Sequence, residues 1–322
     1  MKKLIAEYKI SEYEIGQLEG EFADKSHYDY VIDYDCKVFT KTGKPVLFFI
    51  KNYIEPDKLY KAYQSMKYAA TVTNNRGAAS GGVRGMGTLG DGKLSKMNYV
   101  YPKGTTDFSS ANRLKVLSGI AGYFDRNAHY DFCRTTAFNK QNLDKFNQAM
   151  PLIESVDKGF KEFVPERHKK QMEMIRATNP NYRIGNTAFT TITINKDYRT
   201  AYHYDAGDYP KGFGNLVAYC RDIEPMHLVL PKYGIGVHLD TNDLLLVDVH
   251  ELHGNTEFIP CGSNPVRLSF VMYYRENMWK CLSPNEELKR IQINQRIVAQ
   301  KYLMGEKWDM RLLYQATKDQ KQ

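Results

Sequence analysis

The stretch Val266-Arg267-Leu268-Ser269-Phe270-Val271-Met272-Tyr273-Tyr274 is apolar, β-branched and aromatic, and this composition predicts a buried strand. Arg267 interrupts the apolar run near its start. Because an isolated guanidinium is costly to bury, its position predicts an anionic partner for Arg267. A dicarboxylic small molecule would supply that partner.

Residues upstream of this strand have the chemistry of a metal site. His203 and Asp205 are two positions apart, and this spacing on a strand directs both side chains to the same face. They follow the strand-like run Phe189-Thr190-Thr191-Ile192-Thr193-Ile194, and Gly207 breaks the pattern after them. A His-x-Asp pair also occurs by chance in many proteins, so the pair needs a further ligand to indicate a metal.

A further ligand is available in the segment His250-Glu251-Leu252-His253, which follows the buried run Leu244-Leu245-Leu246-Val247-Asp248-Val249. Both histidines of this segment lie near a strand end, and the spacing excludes neither. Two histidines and one carboxylate form a face that holds non-haem Fe(II) and leaves positions open for reactants. The residues therefore predict an iron site formed by His203, Asp205 and one later histidine.

Several segments together are specific to one family. They are Asn186-Thr187-Ala188-Phe189, Arg199, His203-Tyr204-Asp205, Glu251-Leu252-His253-Gly254-Asn255-Thr256 and Arg267-Leu268-Ser269-Phe270-Val271-Met272-Tyr273-Tyr274. In these segments the chain resembles the Fe(II)/2-oxoglutarate dioxygenases of the TET and base J-binding protein group, which oxidise the 5-methyl group of pyrimidines in nucleic acid. The resemblance covers residues 183 to 275. The N-terminal half matches only loosely, through Asn75-Arg76-Gly77-Ala78-Ala79-Ser80-Gly81-Gly82.

The resemblance implies a role for each of these residues. His203, Asp205 and His253 would hold the catalytic iron, and His250 would be structural or would support a ligand. Arg267 would form a bidentate pair with the distal carboxylate of 2-oxoglutarate, and Ser269 would add a hydroxyl donor on the same strand face. Arg199 is a candidate for the keto-acid end of 2-oxoglutarate. The alternative for Arg199 is a structural ion pair with Asp197 or Asp222.

The expected fold is α+β, with a double-stranded β-helix (jelly-roll, cupin-like) core and flanking helices. We expect a single dioxygenase domain over residues 1–322. Within it, residues 1–180 would supply N-terminal strands, helices and a flap. Residues 183–275 would form the core that binds iron and 2-oxoglutarate, and residues 283–322 would form a C-terminal helical extension.

Local patterns place the elements around this core. The turn Lys41-Thr42-Gly43-Lys44 predicts a hairpin within Tyr30–Ile50, and apolar spacing predicts a helix over Pro56–Ala70. Pro165 is expected to separate two helices within Pro151–Ala177. Ser283-Pro284-Asn285-Glu286 is a capping-box sequence that predicts a helix to about Leu303.

The segment Asn74–Lys93 is rich in glycine and basic residues but lacks the ending of a phosphate-binding loop. Its glycines favour a flap whose backbone approaches a substrate, and a surface loop is the alternative. We expect Arg76 and Arg84 of this segment to contact the substrate.

Arg275 is the third residue expected to contact the substrate. It lies eight positions after Arg267, so even spacing puts both on one strand face. TET proteins resemble this chain here but carry a histidine that contacts the cytosine edge. Arginine is only a hydrogen-bond donor and therefore suits thymine, whose O4 and O2 are acceptors, although O2 and N3 of cytosine are acceptors as well. The alternative is an exposed arginine paired with Glu276 or with DNA phosphate.

Composition is compatible with a polyanionic partner. The chain has 322 residues and a net charge of +8, with 24 tyrosines that offer stacking surfaces for bases. A solvated basic surface would give the same excess of charge. Five scattered cysteines without a CxxC spacing predict reduced thiols. No stretch resembles a signal peptide or a membrane span, so we expect a soluble, intracellular protein with no membrane partner.

The function expected from these features is hydroxylation of the 5-methyl group of thymine or 5-methylcytosine in DNA, using Fe(II), 2-oxoglutarate and O₂. In duplex DNA the base would have to be flipped into the pocket, at a cost of a few kcal/mol. Two alternatives remain at this stage. One is a dioxygenase of the same fold that acts on a small molecule or a protein side chain, and the other is a non-catalytic DNA-binding module.

Overall fold

The computed structural model describes residues 1–73, 76–81, 83–88, 94–101, 116–127, 130–205 and 207–303. Side chains are described for all of these except residues 83–101 and 298–303. The expected contact of Arg84 with substrate lies outside the described side chains.

The strands of this part of the chain are β1 (Lys2–Ala6), β2 (Tyr30–Ile32), β3 (Cys36–Thr40), β4 (Pro45–Ile50), β5 (Thr71–Thr73), β6 (Val83–Thr88), β7 (Leu94–Tyr101), β8 (Val116–Phe124), β9 (Arg134–Thr135), β10 (Thr191–Lys196), β11 (Gly214–Arg221), β12 (His227–Leu230), β13 (Ile235–His238), β14 (Leu244–Val247), β15 (Gly254–Asn255) and β16 (Val266–Tyr273). The α-helices are α1 (Glu12–Gln17), α2 (Pro56–Met66), α3 (Ala137–Gln141), α4 (Leu143–Gln148), α5 (Met150–Phe163), α6 (Pro165–Ala177) and α7 (Pro284–Leu303).

Two sheets form the core. The larger has the order β1-β3-β4-β14-β11-β16-β10-β8-β5, with β9 paired to β8, and the smaller has the order β15-β12-β13-β2. From β10 onward the chain passes between them: β10, β11, β14 and β16 lie in the larger sheet, whereas β12, β13 and β15 lie in the smaller one. This alternation is the winding of a double-stranded β-helix, and it confirms the expected jelly-roll core with flanking helices.

The period-2 alternation of the strands separates two apolar cores. On one face of the larger sheet, Val217, Leu244 and Phe270 pack in a cluster that includes Leu59 of α2 and Phe160 of α5. On the other face, alternate residues such as Leu245 and Val247 pack toward the smaller sheet, in a cluster that includes Leu228 and Val237. The helices thus cover the outside of the larger sheet, and the space between the sheets remains for a site.

The local predictions agree with these elements. β3 and β4 form the expected hairpin around Lys41–Lys44, whereas β2 joins the smaller sheet beside β13. α2 begins at Pro56 but ends at Met66, earlier than expected. Val164 separates α5 from α6, directly before Pro165. Ser283 and Glu286 cap α7 in the reciprocal manner expected from the sequence.

The expectation that every thiol is reduced is wrong. Cys133 and Cys281 form a disulfide across a sequence separation of 148 residues, with an Sγ–Sγ distance of 2.04 Å. Cys36, Cys220 and Cys261 are free. Spacing along the chain does not reveal which cysteines a fold brings together, so the sequence alone gave no sign of this pair.

No helix in the described ranges is both long enough and apolar enough to cross a bilayer.

Candidate metal and co-substrate site

The backbone brings two histidines together. His203 and His253 form an isolated antiparallel bridge, in which the His203 N–H donates to the His253 carbonyl at 2.9 Å and the reverse bond measures 3.2 Å. The Asp205 N–H donates to the carbonyl of Val249, which holds this segment against the end of β14. The two imidazole rings therefore stand side by side, with centroids 4.4 Å apart.

Each imidazole is oriented by a carbonyl of its own segment. Nδ1 of His203 donates to the Ala201 carbonyl at 2.8 Å, and Nδ1 of His253 donates to the Glu251 carbonyl at 3.0 Å. This leaves both Nε2 atoms as the free ligand atoms of neutral rings. Burial, together with the neighbouring His253, lowers the pKa of His203 well below its usual value, which keeps the ring neutral.

Asp205 completes a group that fits a metal ion. Its Oδ1 lies 3.6 Å from Nε2 of His203, and its Oδ2 lies 3.7 Å from Nε2 of His253. The ligand atoms of the three residues all lie within 4.8 Å of one another, and they form the one such group among the described side chains. Neutral imidazoles and a carboxylate on one side of a cavity are the donor set of a non-haem Fe(II) centre.

His250 points away from this group. Its Nδ1 lies 3.1 Å from Oδ1 of Asp248, and its Nε2 donates weakly to the Asp208 carbonyl at 3.4 Å. The geometry thus selects between the two histidines that the spacing left open, and it groups His253 with His203 and Asp205.

Arg267 lies in the same cavity, 5% exposed, and its Nε is buried without a hydrogen-bond partner. Its backbone N–H donates to Oδ1 of Asp197 at 2.8 Å, which fixes the start of β16. Ser269, two positions further, is 4% exposed and lines the cavity as well. A buried guanidinium nitrogen without a partner is unfavourable, so this arrangement suits an anionic ligand with a carboxylate at Arg267.

Arg76 enters the cavity beside β10. Its Nη2 donates to Oδ1 of Asn195 at 3.3 Å, and the same oxygen accepts from Ser118 and Tyr198 at 2.7 and 3.2 Å. Asn195 is thus the common acceptor of a polar network on the cavity wall. Sequence reasoning missed both Asn195 and Tyr198, although polar residues alternating with Ile192 and Ile194 on one strand were a signal of a polar inner face.

Arg199 does not join the site. Its guanidinium carbon lies 4.1 Å above the ring of Phe22, and Arg199 is absent from the cavity wall formed by the described residues. The expected contact with the keto-acid end is therefore not supported. Arg199 lies four positions before His203 and outside any regular strand, so the spacing did not determine the direction of its side chain.

Arg275 lines the cavity but is neither exposed nor paired with Glu276. Its Nε donates to Oδ1 of Asp125 at 2.6 Å, and its side chain is 18% exposed. Its guanidinium carbon lies 3.9 Å from the ring centroid of Phe124, which also lines the cavity. The alternative of an exposed arginine paired with Glu276 is therefore wrong, because Phe124 at the end of β8 and Asp125 directly after it bring an aromatic ring and a carboxylate against Arg275.

Asp208 is a further cavity residue that sequence reasoning missed. It forms an isolated bridge with Arg275, and its Oδ2 is buried without a partner. Burial and the nearby charge of Asp205 raise the pKa of Asp208 well above its usual range. The cavity wall therefore has an unsatisfied polar group beside Arg275.

The metal group, Arg267, Arg76, Asp208 and Arg275 line one cavity of about 280 Å³. On the larger sheet its wall follows the strand faces opposite the helices, through Thr193, Asn195, Arg267, Ser269, Val271 and Tyr273. The rest of the wall includes Leu228 and Asn255 of the smaller sheet, together with His203, Asp205 and His253. The site therefore lies between the two sheets, where a small ligand can contact the metal group and Arg267 together.

Comparison with known proteins agrees with this geometry. Residues 119–276 match the TET/JBP family, described as the oxygenase domain of the 2OGFeDO superfamily. The chain is 32% identical over 191 residues to the bifunctional helicase and thymine dioxygenase JBP2 of Leishmania braziliensis, covering 59% of this chain and 17% of that protein. It is 36% identical over 163 residues to the thymine dioxygenase JBP1 of Trypanosoma brucei brucei, covering 49% of this chain and 19% of that protein. The chain thus spans under a fifth of the length of either relative.

The fold is also found in a solved structure. NgTET1 in complex with 5mC DNA aligns over 85% of this chain and 88% of its own, with a TM-score of 0.50 and 12% identity. This similarity establishes the shared fold. The superfamily's reactants, Fe(II) and 2-oxoglutarate, fit the three ligands and the buried Arg267 described above. Residues 119–276 of the chain are thus similar to the oxygenase domain of the TET/JBP group of 2-oxoglutarate- and Fe(II)-dependent oxygenases.

Proposed function

We propose that this protein is an Fe(II)/2-oxoglutarate-dependent dioxygenase that hydroxylates the 5-methyl group of a pyrimidine, thymine or 5-methylcytosine, in DNA. The observation that carries the proposal is the cavity that His203, Asp205 and His253 share with Arg267, whose buried Nε has no hydrogen-bond partner. The choice of substrate is supported by relatives named as thymine dioxygenases and by the fold shared with a protein solved on 5mC DNA.

The overall reaction converts the methyl group, O₂ and 2-oxoglutarate into a hydroxymethyl group, succinate and CO₂. When bound, Fe(II) supplies the oxidising chemistry, and the chain supplies placement and exclusion of water. His203 and His253 would hold the ion through Nε2 because their Nδ1 atoms are committed to carbonyls. Asp205 would supply the carboxylate ligand.

Arg267 and Ser269 would bind the distal carboxylate of 2-oxoglutarate. The guanidinium would donate in a bidentate manner and Ser269 would add a hydroxyl donor from the same strand face. Apolar side chains complete the wall of the cavity and limit water around the reacting groups: Ile120, Leu216, Leu228, Val249 and Val271.

The pyrimidine would enter beside Arg275 and Arg76 after extrusion from the DNA stack, which costs a few kcal/mol in a duplex. Arg275 donates hydrogen bonds and accepts none, so its N–H groups favour the O4 or O2 acceptor of thymine over the N4 donor of cytosine. We therefore propose that thymine is the preferred base. Arg76, which donates to Asn195 on the cavity wall, is also proposed to contact the substrate.

Mass spectrometry of nucleosides tests this function. Purified protein, Fe(II) and 2-oxoglutarate are incubated with DNA that contains both thymine and 5-methylcytosine, with the His253→Ala and Arg267→Ala variants as controls. A hydroxymethyl nucleoside that depends on both residues supports the proposal. Succinate formation without any oxidised base would instead indicate a small molecule or protein side chain as substrate, and DNA binding without succinate would indicate a non-catalytic module.

A further inference from the structure

Arg275 is held in one orientation by the residues around it. Its Nε is committed to Asp125, whose side chain is 3% exposed, and its guanidinium lies 3.9 Å from the Phe124 ring centroid. On its other side, a Cβ placed on Gly207 would lie 3.1 Å from both Nη1 and Nη2. The guanidinium therefore fits between an aromatic ring and a backbone without a side chain, and Arg275 lines the cavity.

Asp125 is itself fixed by its surroundings. Its backbone carbonyl accepts from Nη1 of Arg134 at 3.2 Å, and the Arg134 guanidinium carbon lies 4.8 Å from the same Phe124 ring. The next residue, Arg126, pairs with the buried Glu287 of α7. The neighbours of Asp125 are thus held in place, because Arg126 pairs with α7 and Arg134 contacts the Phe124 ring. Asp125 therefore has little freedom to move.

A buried ion pair of this kind adds little net stability, because desolvation offsets most of the attraction between the charges. The ion pair has a clearer effect on the orientation of the Arg275 guanidinium. With Nε committed to Asp125, Arg275 can present only its Nη donors to a ligand in the cavity.

We infer that Asp125 is a positioning residue for base selection, which aims the Nη donors of Arg275 at the edge of the extruded pyrimidine. This inference rests on the proposed function and adds to it a residue outside the iron and 2-oxoglutarate groups. An edge with carbonyl acceptors, as in thymine, satisfies the fixed donors, whereas the N4 amino group of 5-methylcytosine opposes them. Loss of Asp125 releases the guanidinium and weakens this discrimination.

A double-mutant cycle tests the inference. Two matched duplexes, which differ only in carrying thymine or 5-methylcytosine at the target position, compete as substrates for one protein at a time. The proteins compared are wild type, Asp125→Asn, Arg275→Gln and the double variant. The readout is the ratio of kcat/KM values for the two bases, and the apparent KM for 2-oxoglutarate reports whether the co-substrate site remains intact. Asp131→Asn is the matched control. Asp131 follows Asp125 closely in the chain and also pairs with an arginine, Arg290 of α7, but Asp131 does not line the cavity.

The expected result is a shift of roughly tenfold toward 5-methylcytosine in either single variant, as for loss of one charge-assisted hydrogen bond. The double variant is expected to show no further shift, because Asp125 acts through Arg275. Asp131→Asn is expected to keep the wild-type ratio. An unchanged ratio in Asp125→Asn, or shifts that add in the double variant, would overturn the inference.

Arg275→Lys keeps the test decisive if Asp125→Asn does not fold. Lysine preserves the charge but lacks the fork that pairs with Asp125 and presents donors at the same time. It is therefore expected to shift the ratio as Arg275→Gln does, and a wild-type ratio would contradict the positioning role. Wild-type protein that oxidises neither base would overturn the proposed function, and with it this inference.

Discussion

His203 and His253 lie on separate segments, yet their backbones exchange hydrogen bonds in both directions, at 2.9 and 3.2 Å. The pairing uses main-chain atoms, so the two rings are placed beside one another before a metal binds. Asp205 reaches both Nε2 atoms from the His203 segment, within 3.7 Å. The metal group is therefore built around this backbone bridge.

The first prediction concerns the ligands. His253→Ala should lose iron binding and 2-oxoglutarate turnover, because two remaining ligands do not fix the open face of the metal. His250→Ala should keep iron and measurable turnover, because His250 lies against Asp248 and outside the group. Iron content after anaerobic loading and succinate formation measure both effects. Loss of iron in His250→Ala with retention in His253→Ala would reverse the assignment.

Arg267 should control the affinity for 2-oxoglutarate. Arg267→Ala is expected to raise the apparent KM for 2-oxoglutarate roughly tenfold to a hundredfold, since the carboxylate loses a buried charge-assisted pair. Arg267→Lys should recover only part of this loss, because lysine lacks the planar fork. Arg199→Ala is the control, as Arg199 packs over Phe22 away from the cavity. A KM that rises in Arg199→Ala but not in Arg267→Ala would place the co-substrate elsewhere.

The Cys133–Cys281 disulfide should stabilise the fold by closing a long loop. Cys133→Ser is expected to lower the free energy of unfolding by about 2–4 kcal/mol, measured by urea denaturation without reductant. Cys261→Ser is the control, because Cys261 is exposed and free. Alkylation of the denatured, unreduced protein should label three cysteines, and labelling of all five would contradict the disulfide.

The pair formed by His250 and Asp248 should make stability depend on pH. Burial opposes ionisation of Asp248, but hydrogen bonds from His250 and Lys44 outweigh it and lower its pKa from 3.8 to about 2. The hydrogen bond to Asp248 raises the pKa of His250 above 6.5 against the effect of burial.

The pH dependence of stability follows from the directions of these two pKa shifts. The contribution of His250 is fully present below its unfolded pKa of about 6.5 and is lost as pH rises through the higher folded value. That of Asp248 is present above about 3.8 and is lost as pH falls toward 2. His250→Gln in metal-free protein should therefore cost more stability near about pH 5.5 than near about pH 8.5. Lys44→Gln is the control, because Lys44 is charged at both pH values. If His250→Gln lowers the stability equally at both pH values, the predicted effect of the His250–Asp248 pair is wrong.

The sequence by itself determined the elements whose signals are local. Apolar alternation in β14 and β16, the hairpin turn before β4 and the capping box of α7 are set by neighbouring residues, so their pattern is readable along the chain. The i, i+2 spacing of His203 and Asp205 likewise indicated two ligands of one metal, although the segment forms only an isolated bridge at His203 and no regular strand. The buried charge of Arg267 in an apolar strand required an anionic partner wherever the strand lay.

Only the tertiary structure decided what depends on contacts between distant segments. The bridge between His203 and His253 selects His253 over His250, and the fold turns Arg199 away from the cavity. The pairing of Arg275 with Asp125 and that of Cys133 with Cys281 join residues far apart in sequence. Periodicity fixes the direction of a side chain within its own strand but carries no information about which other segment faces it, because that is set by how the two sheets and the helices pack.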